Sequence, residues 1–349
     1  MPETPTSGGE VREVPAQESV LHGGEHISVL FPWMVRGLGE LTTVADLVRD
    51  GTAHRLWLGQ SLTVESHHAL AYLAGAGYRI PVGLSVALMA LRHPFDAAAQ
   101  ARSLAILTGH PPVIGYGAAE PEFAAALHGA RYARPASAVA EYISVLRRLL
   151  DGDALQHRGP LFTADQVNLP PVMEELLPDP VAEVGAGVLR PGMARAAGRT
   201  ADVAISWLTP PDYVRDVLIP ALSAGAEAAG RTDRPRVVTV VHAAVARQGR
   251  SPLILAQLGA GNHLRVPHYA DMLRRAGLDV DVSDPVCAAR ELVEEGVFLY
   301  GKPGDVAAGI RRHFAAGIDE VVVNPLAVAQ VHGLDAALAD LREILAEFA

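Results

Sequence analysis

The run Gly185-Ala186-Gly187-Val188-Leu189-Arg190-Pro191-Gly192-Met193 joins small residues, an arginine and a proline where an apolar stretch ends and a helical pattern begins. Proline suits the first helical position, where its missing N–H costs nothing. The free N–H groups of such a turn and the positive end of the helix dipole suit a phosphate, and Arg190 can add charge-assisted bonds. A tight strand-to-helix turn that needs glycine explains the same residues without a ligand. Neither GxxxxGK[ST] nor the spaced GxGxxG pattern is present, which argues against a nucleoside triphosphate.

Two further stretches, Gly83-Leu84-Ser85-Val86-Ala87 and Gly115-Tyr116-Gly117, place glycine inside apolar runs. Glycine weakens a strand and is best tolerated where a ligand or another backbone must come close. A flat ring would use that room, although packing of small against large residues accounts for Gly83 equally well. Trp57-Leu58-Gly59-Gln60-Ser61 and Arg92-His93-Pro94 bring polar side chains to two more strand ends, and together these ends read as the rim of a flavin-type cofactor site. Fourteen histidines invite a metal hypothesis. His67 and His68 are adjacent and do not share a helix face, and His263 and His268 fall in a loop-like stretch without HExxH spacing. No metal site is expected. The absence of Gly-x-Ser-x-Gly weakens a hydrolase reading.

These residues must be carried by strands separated by helices. Apolar runs predict strands at Ile27–Pro32, Arg55–Gln60, Ile80–Leu88, Pro112–Gly117, Val181–Val188, Asp202–Trp207, Arg236–Ala246 and Glu320–Asn324. Helical spacing predicts intervening helices, among them Leu41–Asp50, Val64–Ala76, Phe95–Leu107, Pro191–Arg199 and Tyr213–Ala229. About eight βα units in one rhythm fit a (β/α)8 TIM barrel with insertions better than a doubly wound sheet. In such a barrel successive strands end on one rim and can build one pocket. A single domain is expected over residues 26–349, with excursions near 152–180 and 250–284. The stretch Leu155–Phe162, centred on Arg158-Gly159-Pro160, reads as a small hairpin.

A formal charge of −10 argues against a nucleic-acid partner, because phosphate backbones are held by clustered basic surface. The lone Cys287 excludes an intrachain disulfide and reads as a buried thiol. No apolar run approaches the about 18 residues of a membrane span. Residues 1–25 hold Pro, Ser, Gly and Glu without an apolar core and are expected to be a flexible segment rather than a signal peptide. A cytoplasmic location is the default expectation.

Taken in order, Leu56 to Gln60, Arg79-Ile80 through Gly83 to Pro94, Ile114 to Gly117, Arg134-Pro135 with Glu141-Tyr142 and Leu149 to Gly152, Pro191-Gly192-Met193 with Ala197-Gly198-Arg199 and Ala201-Asp202, and Gly301-Lys302-Pro303 with Ala316-Gly317 and Glu320 to Asn324 resemble the luciferase-like monooxygenase superfamily. The Trp57…Gln60 ending, Arg92-His93-Pro94, Ser206 to Pro210 and Tyr269 to Leu273 resemble its branch of coenzyme F420-dependent oxidoreductases. The resemblance implies a luciferase-like barrel, a homodimer, and a deazaflavin at the C-terminal rim, with a cis peptide at Ser85–Val86 behind its ring. It places the cofactor on Gln60, Ser61, Ser85, Val86, Ala87, Gly115, Tyr116, Gly117, Leu189, Arg190, Gly192 and Met193. Glu120 and His93 are the candidate proton donors or substrate-orienting groups.

The implied activity is hydride transfer from reduced F420 to an activated C=C or C=N bond of a natural-product or modified-peptide substrate. An FMN-dependent monooxygenase and a non-catalytic ligand-binding barrel are the alternatives. The chain departs from the branch at Ala118-Ala119-Glu120, where Pro-Ser-His is common, at Arg190, where glycine is usual, and at Gln60-Ser61, which replaces an Asp-His pair.

Overall fold

A computed structural model describes residues 25–349, so the flexible segment expected over residues 1–25 lies, but for its last residue, outside the described residues. Eight parallel strands run in chain order: β1 (His26–Leu30), β2 (Leu56–Leu58), β3 (Val82–Leu88), β4 (Val113–Gly117), β5 (Glu183–Gly187), β6 (Val203–Trp207), β7 (Arg236–Val245) and β8 (Glu320–Asn324). Each pairs with the next, and β8 pairs with β1, so the sheet closes. This is the (β/α)8 barrel that the alternation of apolar runs and helical spacing predicts.

Alternation along the strands creates two cores. Inward-facing Leu30, Trp57, Val113, Val203, Ile205, Val238, Val240 and Val322 form one buried cluster, as expected of a barrel filled by side chains. Outward-facing residues such as Leu56, Leu58, Leu84, Tyr116 and Val321 pack under the helices in the other. Inside the barrel, Trp57 takes the room opposite Gly83, where an added Cβ would come within 2.6 Å of the indole. Packing, not a ligand, requires that glycine.

Three elements depart from expectation. A short strand, Phe298–Gly301, pairs with the last residues of β7; its four residues are too few to carry a period. The helix Pro121–His128 follows β4 and has only eight residues. The helix expected over Tyr213–Ala229 is divided, with a π-turn at Val214–Leu218 before Ile219–Ala228. Pro220 cannot donate to the preceding turn, and the ladder re-forms around it.

The excursion after the helix Pro135–Leu150 is an antiparallel hairpin, Leu155–Arg158 with Thr163–Val167. Glu141 ties it down, its Oε1 accepting from the Phe162 N–H at 3.0 Å and meeting His157 Nε2 at 3.0 Å. A second excursion after β7 carries the helices Pro252–Leu264, Pro267–Arg275 and Pro285–Glu294. Cys287, on the last of these, is half-buried rather than buried.

The helix Pro191–Thr200 lies on Ile219–Ala228 with no side chain between them at one crossing. A Cβ on Gly198 would collide with the Leu222 carbonyl and one on Gly225 with the Arg195 carbonyl. No described helix is long and apolar enough to cross a membrane.

Candidate active site

The C-terminal ends of β1 to β8 define one rim. On β3 the Ser85–Val86 peptide is cis, as the resemblance implied, and the pairing of β3 with β4 shifts register between Leu84 and Ala87. Val86 points inward across the strand ends. A Cβ on Gly115 would fall 2.7 Å from its side chain, one on Gly117 at 3.0 Å and one on Gly187 at 3.5 Å. Gly115 is also covered by Ile205. The open surface is therefore at Gly117 and Gly187, both half-buried, with Val86 between them.

The other expected cofactor residues divide. Ser85 is buried and its hydroxyl has no hydrogen-bond partner. Ala87 and Tyr116 belong to the helix-facing core, where Tyr116 packs on Tyr142 at 5.0 Å, so their side chains do not reach the rim. Gln60 is engaged internally: its Oε1 accepts from the Leu88 N–H at 3.0 Å and its Nε2 donates to the Ser61 carbonyl at 2.9 Å. Ser61 is buried, its N–H donating to Ser66 Oγ at 3.1 Å. This pair holds the ends of β2 and β3 together.

The turn after β5 is built as its sequence suggests. Arg190 is the N-cap of Pro191–Thr200 in extended conformation, gives the helix no side-chain cap, and is followed by Pro191. The first intrahelical bond from this turn runs from the Ala194 N–H to the Arg190 carbonyl. The N–H groups of Gly192 and Met193 thus have no intrahelical partner. Leu189 and Met193 are half-buried and pack on the core, and nothing lies within 4 Å of a Cβ placed on Gly192.

The two candidate proton donors differ in how they are held. His93 caps the helix Pro94–Thr108, its Nδ1 accepting from the Phe95 N–H at 3.1 Å, and its ring meets Phe162 of the hairpin edge-on at 5.7 Å. Its Nε2 remains to donate. Glu120 is the exposed N-cap of Pro121–His128, with no side-chain hydrogen bond to the helix, and its charge acts on His268.

Sequence reasoning missed the wall opposite the glycines. Trp207 at the end of β6 donates its indole N–H to His242 Nε2 at 3.2 Å, and the Asn324 amide approaches the same nitrogen at 3.4 Å. His263 stacks on Trp207 with centroids 5.1 Å apart and meets Tyr269 at 5.0 Å. Burial pushes the His242 imidazole down to about 3, with nearby His263 adding to the effect. Burial and His268 likewise bring His263 down to about 4. Both rings are neutral at ordinary pH, and the Nδ1 atoms of both have no partner.

His263 and His268 lie on the helices Pro252–Leu264 and Pro267–Arg275, not in the loop expected for them. Helical spacing predicts the first helix only over Leu253–Leu258; Gly259 and Gly261 conceal the rest, because glycine lowers helical preference by about 1 kcal/mol. Gly259 has a packing reason, since a Cβ there would stand 3.0 Å from His242 Nδ1. The polar ends of β6, β7 and β8 were the available signal for this wall. No group of three or more His, Cys, Asp and Glu suited to a metal occurs among the described residues.

On the opposite side of the mouth, Met34, Leu62 and Leu91 are exposed in the loops that follow β1, β2 and β3. Neighbouring strands thus carry three large apolar side chains to the rim.

Solved structures share this architecture at low identity. An F420-dependent secondary alcohol dehydrogenase in complex with an F420–acetone adduct is 18% identical, with 92% of this chain and 99% of that one covered and a TM-score of 0.67. The coenzyme F420-dependent tetrahydromethanopterin reductase of Methanopyrus kandleri is 17% identical over 93% of this chain and 99% of its own, also at 0.67. The oxygenating constituent of 3,6-diketocamphane monooxygenase from Pseudomonas putida, in complex with FMN, is 20% identical over 92% and 96%, at 0.66. Residues 27–320 match the family model for luciferase-like monooxygenases. With the closed barrel and that match over most of its length, the chain belongs to the luciferase-like monooxygenase family.

Proposed function

We propose that this chain is a coenzyme F420-dependent oxidoreductase, working as a reductase that passes a hydride to an activated C=C or C=N bond of a bulky natural-product or modified-peptide substrate. The observation that carries this reading is the succession, on adjacent strands β4 and β5, of an open glycine surface and an anion-ready turn. Gly117 and Gly187 flank Val86, and the free N–H groups of Gly192 and Met193 follow beside Arg190. A planar ring would lie against the first and a phosphate against the second. The residues present therefore fit a deazaflavin. They fit FMN in the same way, since both cofactors join a ring to a phosphate through a sugar-alcohol chain.

When bound, a reduced deazaflavin supplies a hydride and, unlike a flavin, reacts poorly with oxygen. The protein's own part is positioning. Val86 and the two glycines would set the plane of the ring, and Arg190 with the helix N-terminus would hold the phosphate end. Trp207, held at its N–H edge by His242 and on one face by His263, is a rigid wall of the mouth. Fixing an acceptor carbon next to the ring is where most of the rate advantage of such a site would come from.

Met34, Leu62 and Leu91 give the mouth an apolar side suited to a bulky, uncharged substrate and to the exclusion of water. Glu120 and His93 Nε2 are the groups that can deliver the proton completing a reduction. Gln60, Ser61, Ala87, Gly115 and Tyr116 act in this scheme by shaping strand ends, not by touching the cofactor with their side chains. The protein is proposed to work as a homodimer.

The experiment is an anaerobic titration of the purified protein with F420 and with FMN, followed by cofactor fluorescence. F420 is expected to bind at least tenfold more tightly. Preferential FMN binding together with oxygen uptake by the reduced form would replace this reading with that of a monooxygenase, and binding of neither would leave a non-catalytic barrel.

A further inference from the structure

Asp271, on the excursion helix Pro267–Arg275, reaches the turn that starts Pro191–Thr200. Its Oδ2 accepts from Arg190 Nη1 at 3.4 Å and from Arg275 Nε at 2.9 Å. One carboxylate oxygen thus stands between two guanidinium groups, and the bonds are unequal. That to Arg275 is short and lies within one helix, four residues apart. That to Arg190 is long and its arginine side chain is 53% exposed, the kind of ion pair that contributes little in water.

The turn itself is short of negative charge. No acidic residue occupies the first turn of Pro191–Thr200, and two backbone N–H groups there lack intrahelical partners. Beside the cluster, Tyr213 is 4% exposed and its hydroxyl has no hydrogen-bond partner. The charges of Arg275, Asp271 and Arg190 all act on that hydroxyl. A buried hydroxyl left unpaired within the field of two guanidinium groups suits an acceptor-rich anion.

We propose that Asp271 is the resident counter-ion of an anion cradle formed by Arg190, the Gly192 and Met193 N–H groups and the Tyr213 hydroxyl, and that the phosphate of the cofactor takes Arg190 from it. Arg275 keeps Asp271 after the exchange and so sets how readily Arg190 is released. A phosphate oxygen pair offers the guanidinium two parallel charge-assisted bonds in place of one long one. The inference rests on the reading of the rim as a site for a phosphate-bearing deazaflavin or flavin.

The test titrates the full chain with F420, with FO, the ribityl deazaflavin that lacks the phosphate, with FMN and with riboflavin. Asp271→Asn is expected to tighten F420 or FMN three- to tenfold and to leave FO and riboflavin unchanged. Arg275→Ala should weaken the phosphorylated cofactors several-fold, although Arg275 does not itself hold the phosphate, because Asp271 is then free to keep Arg190. Arg190→Ala should weaken them at least tenfold, and Asp271→Asn added to it should give no gain.

A gain that persists without Arg190 would reduce Asp271 to a general field effect and overturn the exchange, as would unchanged or weaker binding in Asp271→Asn, or equal changes with FO. Asp271→Ser, together with the melting temperature of each variant, separates loss of the charge from loss of the fold. If the wild-type chain binds neither phosphorylated cofactor, the cofactor reading fails and the exchange with it. If it binds one without this pattern of signs, only the exchange fails.

Discussion

The two ends of the barrel use buried polar groups in opposite ways. At the N-terminal end, Glu320 is fully buried and accepts from Ser28 Oγ at 2.6 Å and from the Trp57 indole N–H at 2.7 Å, with Arg55 at 3.5 Å and Arg236 at 3.8 Å. Arg236 forks onto Glu183 at 2.7 Å, and Arg55 also donates to the Val82 carbonyl. Burial alone would raise the Glu320 carboxyl; Arg55, His54, the Ser28 hydroxyl and Arg236 outweigh it and hold it below the usual range. At the C-terminal end, Ser85, His242 and His263 each bury a polar atom that nothing in the chain answers. Polar groups at the first end are matched in charge by one another, even though Glu320 Oε2 and Arg55 Nε make no hydrogen bond, whereas the orphaned atoms at the second belong to neutral side chains, which is how a scaffold differs from a site.

The largest effect expected from this contrast is in acid. His242 is held down to about 3 at the rim and His54 to about 4 at the opposite end, burial leading in both. A histidine whose folded pKa lies below its unfolded value binds more protons unfolded. Its stabilising effect is complete above about pH 6.5 and is lost as pH falls toward the folded value, by at most about 1.4 kcal/mol per pH unit for each group. Glu320 adds loss of the same sign below its ordinary range. Melting temperature should therefore fall steeply from pH 6.5 to 4, and His242→Gln or His54→Gln should each flatten that slope. A flat profile in the wild type would mean that these rings are not kept neutral.

Next in size is Glu320→Gln. Removing the charge leaves the buried Arg55 without a carboxylate partner, while Arg236 keeps Glu183, and breaking a buried pair in this way costs about 3–5 kcal/mol. Urea unfolding should register the loss, while cofactor affinity of the folded protein stays near that of the wild type. Equal damage to affinity would break the division between the two ends.

Two glycines sharpen the same division. Gly83→Ala drives a methyl into Trp57 and should cost about 1–3 kcal/mol of stability. Gly117→Ala meets only Val86 at 3.0 Å, so its stability loss should be below about 1 kcal/mol, while affinity for the ring falls for F420 and FO alike. His93→Ala removes a helix cap and should cost about 1 kcal/mol. Catalytic loss beyond that expected from the melting temperature would support His93 as a proton donor.

The barrel was legible because its strands are long apolar runs between helices of recognisable period, and closure follows once about eight such units are counted. Phe298–Gly301 was not, since its place beside the far half of β7 is decided by a partner more than fifty positions away. The same holds for the site. The Gly185–Met193 turn announces itself because its chemistry is local, whereas the meanings of Gly83 and Gly259 depend on Trp57 and His242, which no spacing rule connects to them. Alternation turns the Tyr116 side chain outward, because it sits between two inward-facing glycines. His242 gave little sign of a role until the fold set it against Trp207 and Asn324.

The crossing of Gly198 and Gly225 bears on how this protein can be altered. Because backbone meets backbone there, the helix that begins at Pro191 has no cushion of side chains through which to slide, and the span from the Val86 floor to the Gly192 turn works as a fixed gauge. A cofactor whose linker is shorter or longer than that gauge would not be accommodated by repacking. Exchange of one cofactor class for another would have to be sought in the loops around the mouth, and the helix pair would be the wrong place to begin.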